Sequence, residues 1–508
     1  MAQIDDLQTT FNNELFRRSP TLTNSIVAYD ASPNLGGAPA ILQAAPLGTW
    51  FYEETAEIWW RKRDGTPTGW VDQSGGGTAA AVSETTGNLT FTVATTGSDT
   101  PTPTRPDGIT EGDFTSEPFL TIQAAINALP PIWREADTVT VNVGIGNFAG
   151  FKLTGKMIGS ASATKSTING TRIVSTLAQG SNSGTATSGT TRSMTLTGAG
   201  WLADDLMGRL VEITAGTGSG QILMIAANDT DTVTFAGPVT APDVTSVFQI
   251  VESGTILNVA TATAAGIHCE SVWGRFGITD FKVTAATTFG LIAISCSGRL
   301  DFDRIVVDGQ FFGFLGQECM RCSWDQIAAL NCAGRGITLL ASLSAANANT
   351  GWLASNCDTG FWFESCTSVV QTGAYSRDST TYGAQIISTP LASLDDWIVD
   401  TAPTGIRSQT ALLSMRRADI SNCSIEPFDL FSTFLLIQNS LSGTGNTGFG
   451  IDVEGAGNTV EILITPTLTG ASGDATVDGT AVLTWATNFA VSRDSALDIA
   501  TGARIVRR

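Results

Sequence analysis

The chain has 508 residues, only 15% of them charged, and a formal net charge of −20 with five lysines, so nucleic acid is not expected as a direct partner. A single histidine, His268, argues against a Ser-His-Asp triad, a Cys-His nucleophile or a His-rich metal site. No run of about 18 apolar residues occurs, so no membrane-spanning segment is expected.

Residues 1–82 form a separate N-terminal part. The opening MAQIDDLQTT lacks the basic and apolar regions of a signal peptide, which favours synthesis in the cytoplasm with reduced thiols. Residues 5–17 predict a short helix. Aromatic runs broken by turn residues predict a small β-meander over 48–73, and QSGGGTAAA (73–81) is typical of a flexible linker.

Five aromatic residues in this meander leave two interpretations open: the core of a very small domain, or a platform for carbohydrate. They are Trp50, Tyr52, Trp59, Trp60 and Trp70.

Residues 83–189 predict the start of the main body. TFTVATTG (90–97) and TVTVNVGIG (138–146) alternate like strands. Between them, PFLTIQAAINALPP has the apolar spacing of one short amphipathic helix, ended by Pro130, which would cover the open end of a solenoid. Residues 190–252 have a different pattern, with closely spaced strands and G-x-G-S-G and N-D-T-D turns, and predict a small inserted β domain.

An internal repeat dominates residues 253–458. A glycine followed by a mostly apolar residue recurs every 22–24 residues, which predicts a β-solenoid whose coils are two or three strands each. From about residue 459 to 508 the repeat fades into a closing β segment. The repeated glycines are Gly266, Gly290, Gly313, Gly336, Gly360, Gly383 and Gly405.

Two columns of the repeat predict an interior. Six residues after each glycine stand Val272, Cys296, Cys319, Ser342, Cys366, Thr389 and Ala411. Near the middle of the coil stand Val283, Ile305, Ile327, Leu353 and Ile398. If coils stack about 4.8 Å apart, these become ladders inside a narrow tube.

The Cys-x-x-Cys at Cys319 and Cys322 resembles half of a zinc site. The column predicts instead that the thiols are small buried groups, and no metal is expected. Cys332, Cys357 and Cys423 each follow an asparagine, which predicts a column of turns.

Four segments resemble phage tail-spike and tail-fibre proteins with a pectate-lyase-like right-handed β-helix. They are the TGSD…PFLTIQAAINALP entry with TVTVNV, the GWLADDLMGRLVEITAGTGSGQILMIAANDTDTVTF insert, the 23-residue coils and the closing GDATVDGTAVLTWA. The resemblance implies an all-β homotrimer with parallel subunits that recognises, and sometimes cleaves, cell-surface polysaccharide. It also implies that the N-terminal part, with Trp50, Trp59, Trp60 and Trp70, attaches the chain to other virion proteins.

Cleavage of a glycan would need two carboxylates in a groove. The x-D-x-x-[IV/A] pattern aligns Asp280, Asp303 and Asp325 about 5 Å apart, a spacing suited to a retaining pair, with Asp396 three coils further on. Two other interpretations stay open: each Asp caps backbone groups where a strand enters its turn, or the trio binds calcium. Nearby basic residues that a lyase would want are Lys282, Arg299, Arg304 and Arg321, and nearby aromatic residues expected to stack on sugars are Trp324, Trp352, Trp362 and Tyr375.

The sequence therefore predicts a phage virion protein, a trimeric spike or fibre for attachment to host polysaccharide. Two alternatives stay open: the same spike as a polysaccharide hydrolase or lyase, and a capsid decoration protein. No cofactor is expected.

Overall fold

The computed structural model describes most of the solenoid and, at the two ends of the chain, individual strands. The predicted helix at 5–17 and linker at 73–81 lie outside the described residues. Apart from the terminal strands given below, the described ranges are 88–99, 118–129, 132–133, 137–158, 165–258, 265–284, 288–298, 300–344, 350–409, 411–431 and 433–447.

The chain divides into two compact units, residues 1–85 with 130–132, and residues 86–129 with 133–508. In the first unit, one four-stranded sheet contains β1 (Ile26–Tyr29), β2 (Trp50–Glu53), β3 (Ile58–Lys62) and β4 (Trp70–Asp72). β2, β3 and β4 pair antiparallel in chain order, which is the predicted meander, and β1 pairs parallel to β2. The structure describes only the strands here, and not the side chains of Trp50, Trp59, Trp60 and Trp70.

After the meander come short strands and one helix, in the order β5 (Leu89–Val93), α1 (Ile122–Ala128), β6 (Ile132–Trp133), β7 (Val139–Val143), β8 (Gly146–Phe148), β9 (Phe151–Thr154), β10 (Met157–Ile158) and β11 (Ser166–Asn169). An antiparallel region follows, with β12 (Arg172–Val174), β13 (Ser183–Thr185), β14 (Ser188–Gly189), β15 (Ser193–Thr195), β16 (Leu210–Ala215), β17 (Ile222–Asn228), β18 (Thr232–Phe235) and β19 (Val247–Ser253).

The parallel body consists of β20 (Thr255–Asn258), β21 (Ala265–Glu270), β22 (Phe276–Thr284), β23 (Phe289–Ile294), β24 (Leu300–Asp308), β25 (Phe312–Gln317), β26 (Ser323–Asp325), β27 (Ala328–Leu330), β28 (Arg335–Leu340), β29 (Leu343–Ser344), β30 (Thr350–Ser355), β31 (Thr359–Glu364), β32 (Ser368–Arg377), β33 (Tyr382–Ile387), β34 (Ala392–Gln409), β35 (Leu412–Phe431), β36 (Phe434–Asn446) and β37 (Phe449–Glu454). The closing strands are β38 (Thr459–Ile462), β39 (Thr467–Gly470), β40 (Gly473–Val477), β41 (Val482–Trp485), β42 (Asp498–Ile499) and β43 (Arg504–Arg507).

Each strand of the body pairs in parallel with the strand one coil later, so the predicted solenoid is confirmed as a right-handed parallel β-helix of about 12 coils. A coil has three faces. The first contains β9, β21, β23, β25, β28, β31 and β33, the second contains β11, β26 and the starts of β22 and β24, and the third contains β20, β27, β30 and the ends of β22 and β24.

Sharp corners join the faces because one residue per corner has a left-handed backbone with positive φ. The first corner, between the first and second faces, has Ser271, Ser295, Glu318, Ala341, Ser365 and Ser388. The second corner, between the second and third faces, has Asp280, Arg304, Gln326, Gly351, Gly373 and Asp396. The third corner, before the next coil, has Gly309, Asn331, Asn356, Asp378, Thr401 and Asn422.

The residue after each corner points into the tube, and this explains the cysteines. Cys296 and Cys319 follow the first corner on successive coils and are at most 2% exposed, which confirms the predicted column. The Cys296 thiol donates to the carbonyl of Ile294, two residues earlier, at 3.3 Å. Ser342 repeats this contact with Leu340 at 2.9 Å. At this corner a small side chain with a donor, Cys296 or Ser342, therefore satisfies a carbonyl group inside the bend.

The predicted asparagine column is also confirmed, at the third corner. Asn356 Nδ2 donates to Asn331 Oδ1, and Asn331 Nδ2 donates to Asp308 Oδ1, both at 2.9 Å. These amides link three successive coils on the outside, while Cys332 and Cys357 follow on the inside.

The second predicted column was wrong in register. Ile305 and Ile327 face inward, but Val283 is paired with Val307. Leu353 and Ile398 stand on the outer side of the third face, against the insert. A shift of one residue reverses the face of a side chain, and alignment on glycines alone did not fix that shift.

Helix α1 begins at its cap Thr121, whose hydroxyl accepts from the amide of Ala124, and it buries Ile122, Ala125 and Ile126 as the spacing predicted. The side-chain amide of Gln123 hydrogen-bonds to the backbone of β9 in the way that a neighbouring strand would. Its amide accepts from Lys152 N at 2.7 Å and donates to Lys152 O at 3.1 Å. The helix therefore satisfies backbone groups at the edge of the first face as well as covering core.

The inserted sheet comprises β12 to β19, so it extends from Arg172 to Ser253 and contains the predicted segment 190–252. It has its own apolar core around Trp201, Phe235 and Phe248. A second apolar cluster joins it to the outer side of the third face, where Met224 and Ala236 of the insert pack with Leu353 and Tyr375.

Candidate functional site

The structure corrects the register of the predicted acidic trio. Asp303 and Asp325 are paired on β24 and β26, but the partner of Asp303 on the preceding coil is Thr279. Asp280 lies one residue further on, at the second corner, level with Arg304. The stack therefore contains two carboxylates, Asp303 and Asp325, separated by about the 4.8 Å between parallel strands.

Arg304 holds the third carboxylate. Its Nε donates to Asp280 Oδ1 at 2.7 Å and its Nη2 to Asp280 Oδ2 at 3.1 Å, while Nη1 contacts Asp303 Oδ2. Arg172 of the insert lies 3.3 Å from Asp280 Oδ1. Burial lowers the pKa of Arg304. The hydrogen bonds to Asp280 and the nearby carboxylates raise that pKa by more than burial lowers it, so the net change is upward. Asp280 is thus a doubly paired anion.

Asp303 is a largely buried carboxylate with altered acidity. Burial raises its pKa to about 6, and the charges of Asp325 and Asp280 act in the same direction against that of Arg304. Its Oδ1 is buried and accepts no hydrogen bond from any residue the structure describes. Because a carboxyl group of this kind is protonated in mild acid, Asp303 could serve as a proton donor.

Asp325 accepts more hydrogen bonds than Asp303 does. Burial raises its pKa, while hydrogen bonds from the Thr350 hydroxyl and from the amides of Gln326 and Thr350 lower it. These contacts fit the capping role that the sequence left open. Asp301, on the same outer side of β24, is paired with Lys165 at 3.0 Å.

The insert covers the second corner along much of its length. Gln326 Oε1 accepts from Met224 N at 2.6 Å, and Arg192 Nε lies 3.1 Å from Asp396 Oδ2. Further along, Gly351 and Gly373 allow the backbone of Gly237 to approach, and a Cβ at Gly373 would lie 2.4 Å from the Gly237 Cα. The predicted acidic surface is therefore largely an interface within the chain, with the Asp303 side chain 19% exposed.

Three of the four aromatic residues expected to stack on sugars are not available to a ligand. Trp324 and Trp352 are 1% and 0% exposed and fill the tube, where Trp324 stacks on Phe302 with ring centroids 4.4 Å apart. Tyr375 is 8% exposed and lies beneath the insert. The expectation failed because inward positions of the second and third faces also accept large rings, which the small residues of the cysteine column had not indicated.

Trp362 is the exception, on the outer side of the first face. Its ring lies 3.3 Å below the Arg335 guanidinium, and its Nε1 donates to Glu364 Oε2 at 3.0 Å. Two coils later, Arg407 lies over the Tyr382 ring at 5.4 Å and 3.3 Å from Asp429 Oδ2. We define the Trp362 surface as Arg335, Trp362, Glu364, Tyr382, Arg407 and Asp429.

Sequence reasoning missed most of this surface. Trp362, Gln385 and Arg407 are in register on β31, β33 and β34, yet their residue types share no pattern. The available signal was their equal distance from the repeated glycine, which places all three two residues after Gly360, Gly383 and Gly405. Arg304 and Arg172 were missed as partners of Asp280 because Arg304 lies on the next coil, one residue away from the predicted register, and Arg172 comes from the insert.

Among the described residues, no group of three or more histidine, cysteine or acidic side chains is arranged to hold a metal ion. In that same part of the chain, no helix has the length and apolar character needed to cross a membrane.

The fold defines the chain as a parallel β-helix protein. It is similar to the tailspike of Acinetobacter baumannii bacteriophage AP22, solved with a capsular saccharide of that bacterium, at 10% identity over 72% of this chain and 64% of the tailspike, with a TM-score of 0.27. It is also similar to the tailspike of Pseudomonas phage LKA1 (13% identity, 71% and 77% covered, TM-score 0.23). A third similar structure is XylC with xylose (10% identity, 79% and 76% covered, TM-score 0.26).

The chain thus spans less than two thirds of the length of the AP22 tailspike. No protein-family profile matches the sequence, and no curated protein does.

Proposed function

We propose that the chain is a phage virion spike or fibre that binds polysaccharide on the surface of the host cell. The observation on which the proposal rests is the Trp362 surface. It combines two guanidinium groups, two aromatic rings and two carboxylates on the outer side of a rigid sheet. Planar donors, acceptors and ring faces in one place suit a ligand rich in hydroxyl groups and apolar C–H faces.

The proposal includes a homotrimer held in the particle by residues 1–82, with the N-terminal meander, including Trp50, Trp59, Trp60 and Trp70, as the attachment part. An apolar strip on the earlier coils of the first face supports association between copies. Phe289 and Phe312 stack at 5.0 Å there and, with Ile294 and Leu315, remain partly exposed in the single chain. A monomeric mass of the purified protein in solution would contradict the trimer.

A second candidate function is cleavage of the same polysaccharide. It is favoured by one observation, the raised pKa of Asp303 beside Asp325 at a spacing suited to a retaining pair. In this version Asp325 attacks the anomeric carbon while Asp303 donates the proton to the leaving oxygen, and a water molecule that Asp303 then deprotonates releases the sugar from Asp325. Asp280 serves to hold Arg304 in place and has no part in the chemistry.

The test uses the full-length protein on a printed array of bacterial capsular and O-antigen polysaccharides. Binding without release of fragments supports attachment, fragments support cleavage, and neither result favours a decoration protein. Arg335→Ala and Trp362→Ala are expected to weaken binding at least tenfold. Asp303→Asn should abolish any cleavage, whereas Asp301→Asn on the same strand is the matched control and should leave it intact.

A further inference from the structure

A row of side chains beside the first corner is exposed without any role in the sites described so far. Residues of four successive coils are bridged there in the order Met157, Trp273, Ser297 and Met320. Trp273 is 55% exposed, Met157 42% and Met320 52%. We call these four residues the Trp273 row.

The backbone beneath this row is rigid. Trp273 N donates to Lys156 O at 2.9 Å, and Trp273 O accepts from Ile158 N at 2.7 Å. On the other side, Gly274 N donates to Ser297 O at 2.8 Å. The indole is thus exposed on a fixed support, and its nitrogen donates to none of the residues that the structure describes.

The flanks of the row are small or polar. Gly274 and Gly298 follow Trp273 and Ser297 and add no side chain on that side. On the other side stand the corner residues Ser271 and Ser295. The exposed apolar strip is therefore one side chain wide, whereas each partner in a stable protein interface buries a broad patch of roughly 800 Å².

The geometry points to a second glycan-binding site, in which a polysaccharide chain lies along the helix axis on the Trp273 row. The inference rests on the proposed function, because it assumes a polysaccharide ligand. The indole stacks on the C–H face of one sugar residue, Met157 packs on the next sugar on one side, and Met320 packs on the second sugar on the other side, beyond Ser297. Since coils repeat about every 4.8 Å, close to the length of one sugar residue, successive side chains meet successive sugars. Ser271, Ser295 and the indole N–H lie along the row, where they can form hydrogen bonds with the hydroxyl groups of the sugars.

The experiment measures the affinity of the full-length protein for the best-bound polysaccharide of the array. Trp273→Ala is expected to weaken binding at least tenfold, and Trp273→Phe to retain most of it because a ring face remains. Leu202→Ala is the matched control, since Leu202 is an exposed apolar residue (46%) on the insert, and should bind like the unaltered protein.

A Trp273→Ala protein that binds within twofold of the unaltered protein would overturn the inference while leaving the proposed function intact, provided that Trp362→Ala binds weakly. If the unaltered protein binds no polysaccharide, the proposed function fails and this inference with it. A second readout needs no variant: bound polysaccharide should protect Trp273 from oxidation by N-bromosuccinimide, as read by peptide mass spectrometry. Equal oxidation with and without polysaccharide would count against the row.

Discussion

Asp280 and Arg304 occupy the same corner position on successive coils, and the guanidinium binds the carboxylate through two hydrogen bonds of 2.7 and 3.1 Å. Because Asp280 is paired with Arg304, Asp303 is the member of the predicted trio that combines a raised pKa with a carboxylate oxygen that accepts no hydrogen bond from the described residues. The acidic trio predicted from the sequence is thus one ion pair, Asp280 with Arg304, next to the two stacked carboxyl groups of Asp303 and Asp325.

The first prediction concerns pH. Burial raises the pKa of Asp303 to about 6, above its ordinary value of about 3.9, so the folded chain binds this proton more tightly than the unfolded chain. Between about pH 4 and pH 6 the group therefore lowers the stability of the fold as pH rises, and above that range it adds no further change. Thermal midpoints of Asp303→Asn, measured from pH 4 to pH 7, should lack this decline. Curves that run parallel to those of the unaltered protein would contradict the assignment.

A second prediction concerns the eight cysteines, all of them free and buried. Burial raises the pKa of the Cys269 and Cys366 thiols, and it raises that of Cys423 to about 12. Because the thiolate is the reactive form, labelling by a disulfide reagent at pH 8 should be negligible until denaturant is added. Rapid labelling of any thiol in the native protein would show that the inner column is open to solvent.

The third prediction separates two tryptophans that the sequence grouped together. Trp352 is fully buried and donates to Trp324 O at 2.7 Å, so Trp352→Ala should cost about 3–5 kcal/mol and lower the thermal midpoint sharply. Trp362→Ala removes a partly exposed ring and its cation–π contact, worth about 1 kcal/mol. Midpoints that fall equally in both variants would show that Trp362 is also part of the core.

The fourth prediction concerns the contact between the insert and the second corner at Gly373. Gly373 has φ +73°, and a Cβ there would lie 2.5 Å from Pro238 Cδ as well as against Gly237. Gly373→Ala should loosen the insert and speed protease cleavage within residues 172–253. Gly309→Ala is the matched control, because Gly309 has φ +81° but open space around it, so both variants have the same backbone strain. Equal cleavage rates would mean that close approach at Gly373 does not hold the insert in place.

The repeat was predictable because each coil returns a small residue to the same bend. Cys296, Cys319 and Ser342 all satisfy a carbonyl from inside their corner, so their spacing survives changes elsewhere in the coil. The short helix was predictable for a similar reason, since Ile122, Ala125 and Ile126 face one side within a single local segment.

The site was less predictable because it depends on one-residue registers and on contacts distant in sequence. Asp280 aligns with Arg304 rather than with Asp303 because the corner residues of successive coils stack on one another, and both Asp280 and Arg304 are corner residues. The exposure of Trp352 and Tyr375 was misjudged because the sequence did not show which positions face the tube and which lie under the insert.

The insert leaves and re-enters the coil at a single point. Gly254 N donates to Thr171 O at 2.7 Å, and Thr171 N donates to the Thr255 hydroxyl at 2.8 Å, so the chain on either side of residues 172–253 is tied together at the second corner. Such a corner is suited to accept an inserted domain, because the two chain ends are already held next to each other. A short glycine-serine link, or an unrelated domain with adjacent ends, should fit there without disturbing the stacking of the cylinder, which would let one scaffold present different attachments to its surroundings.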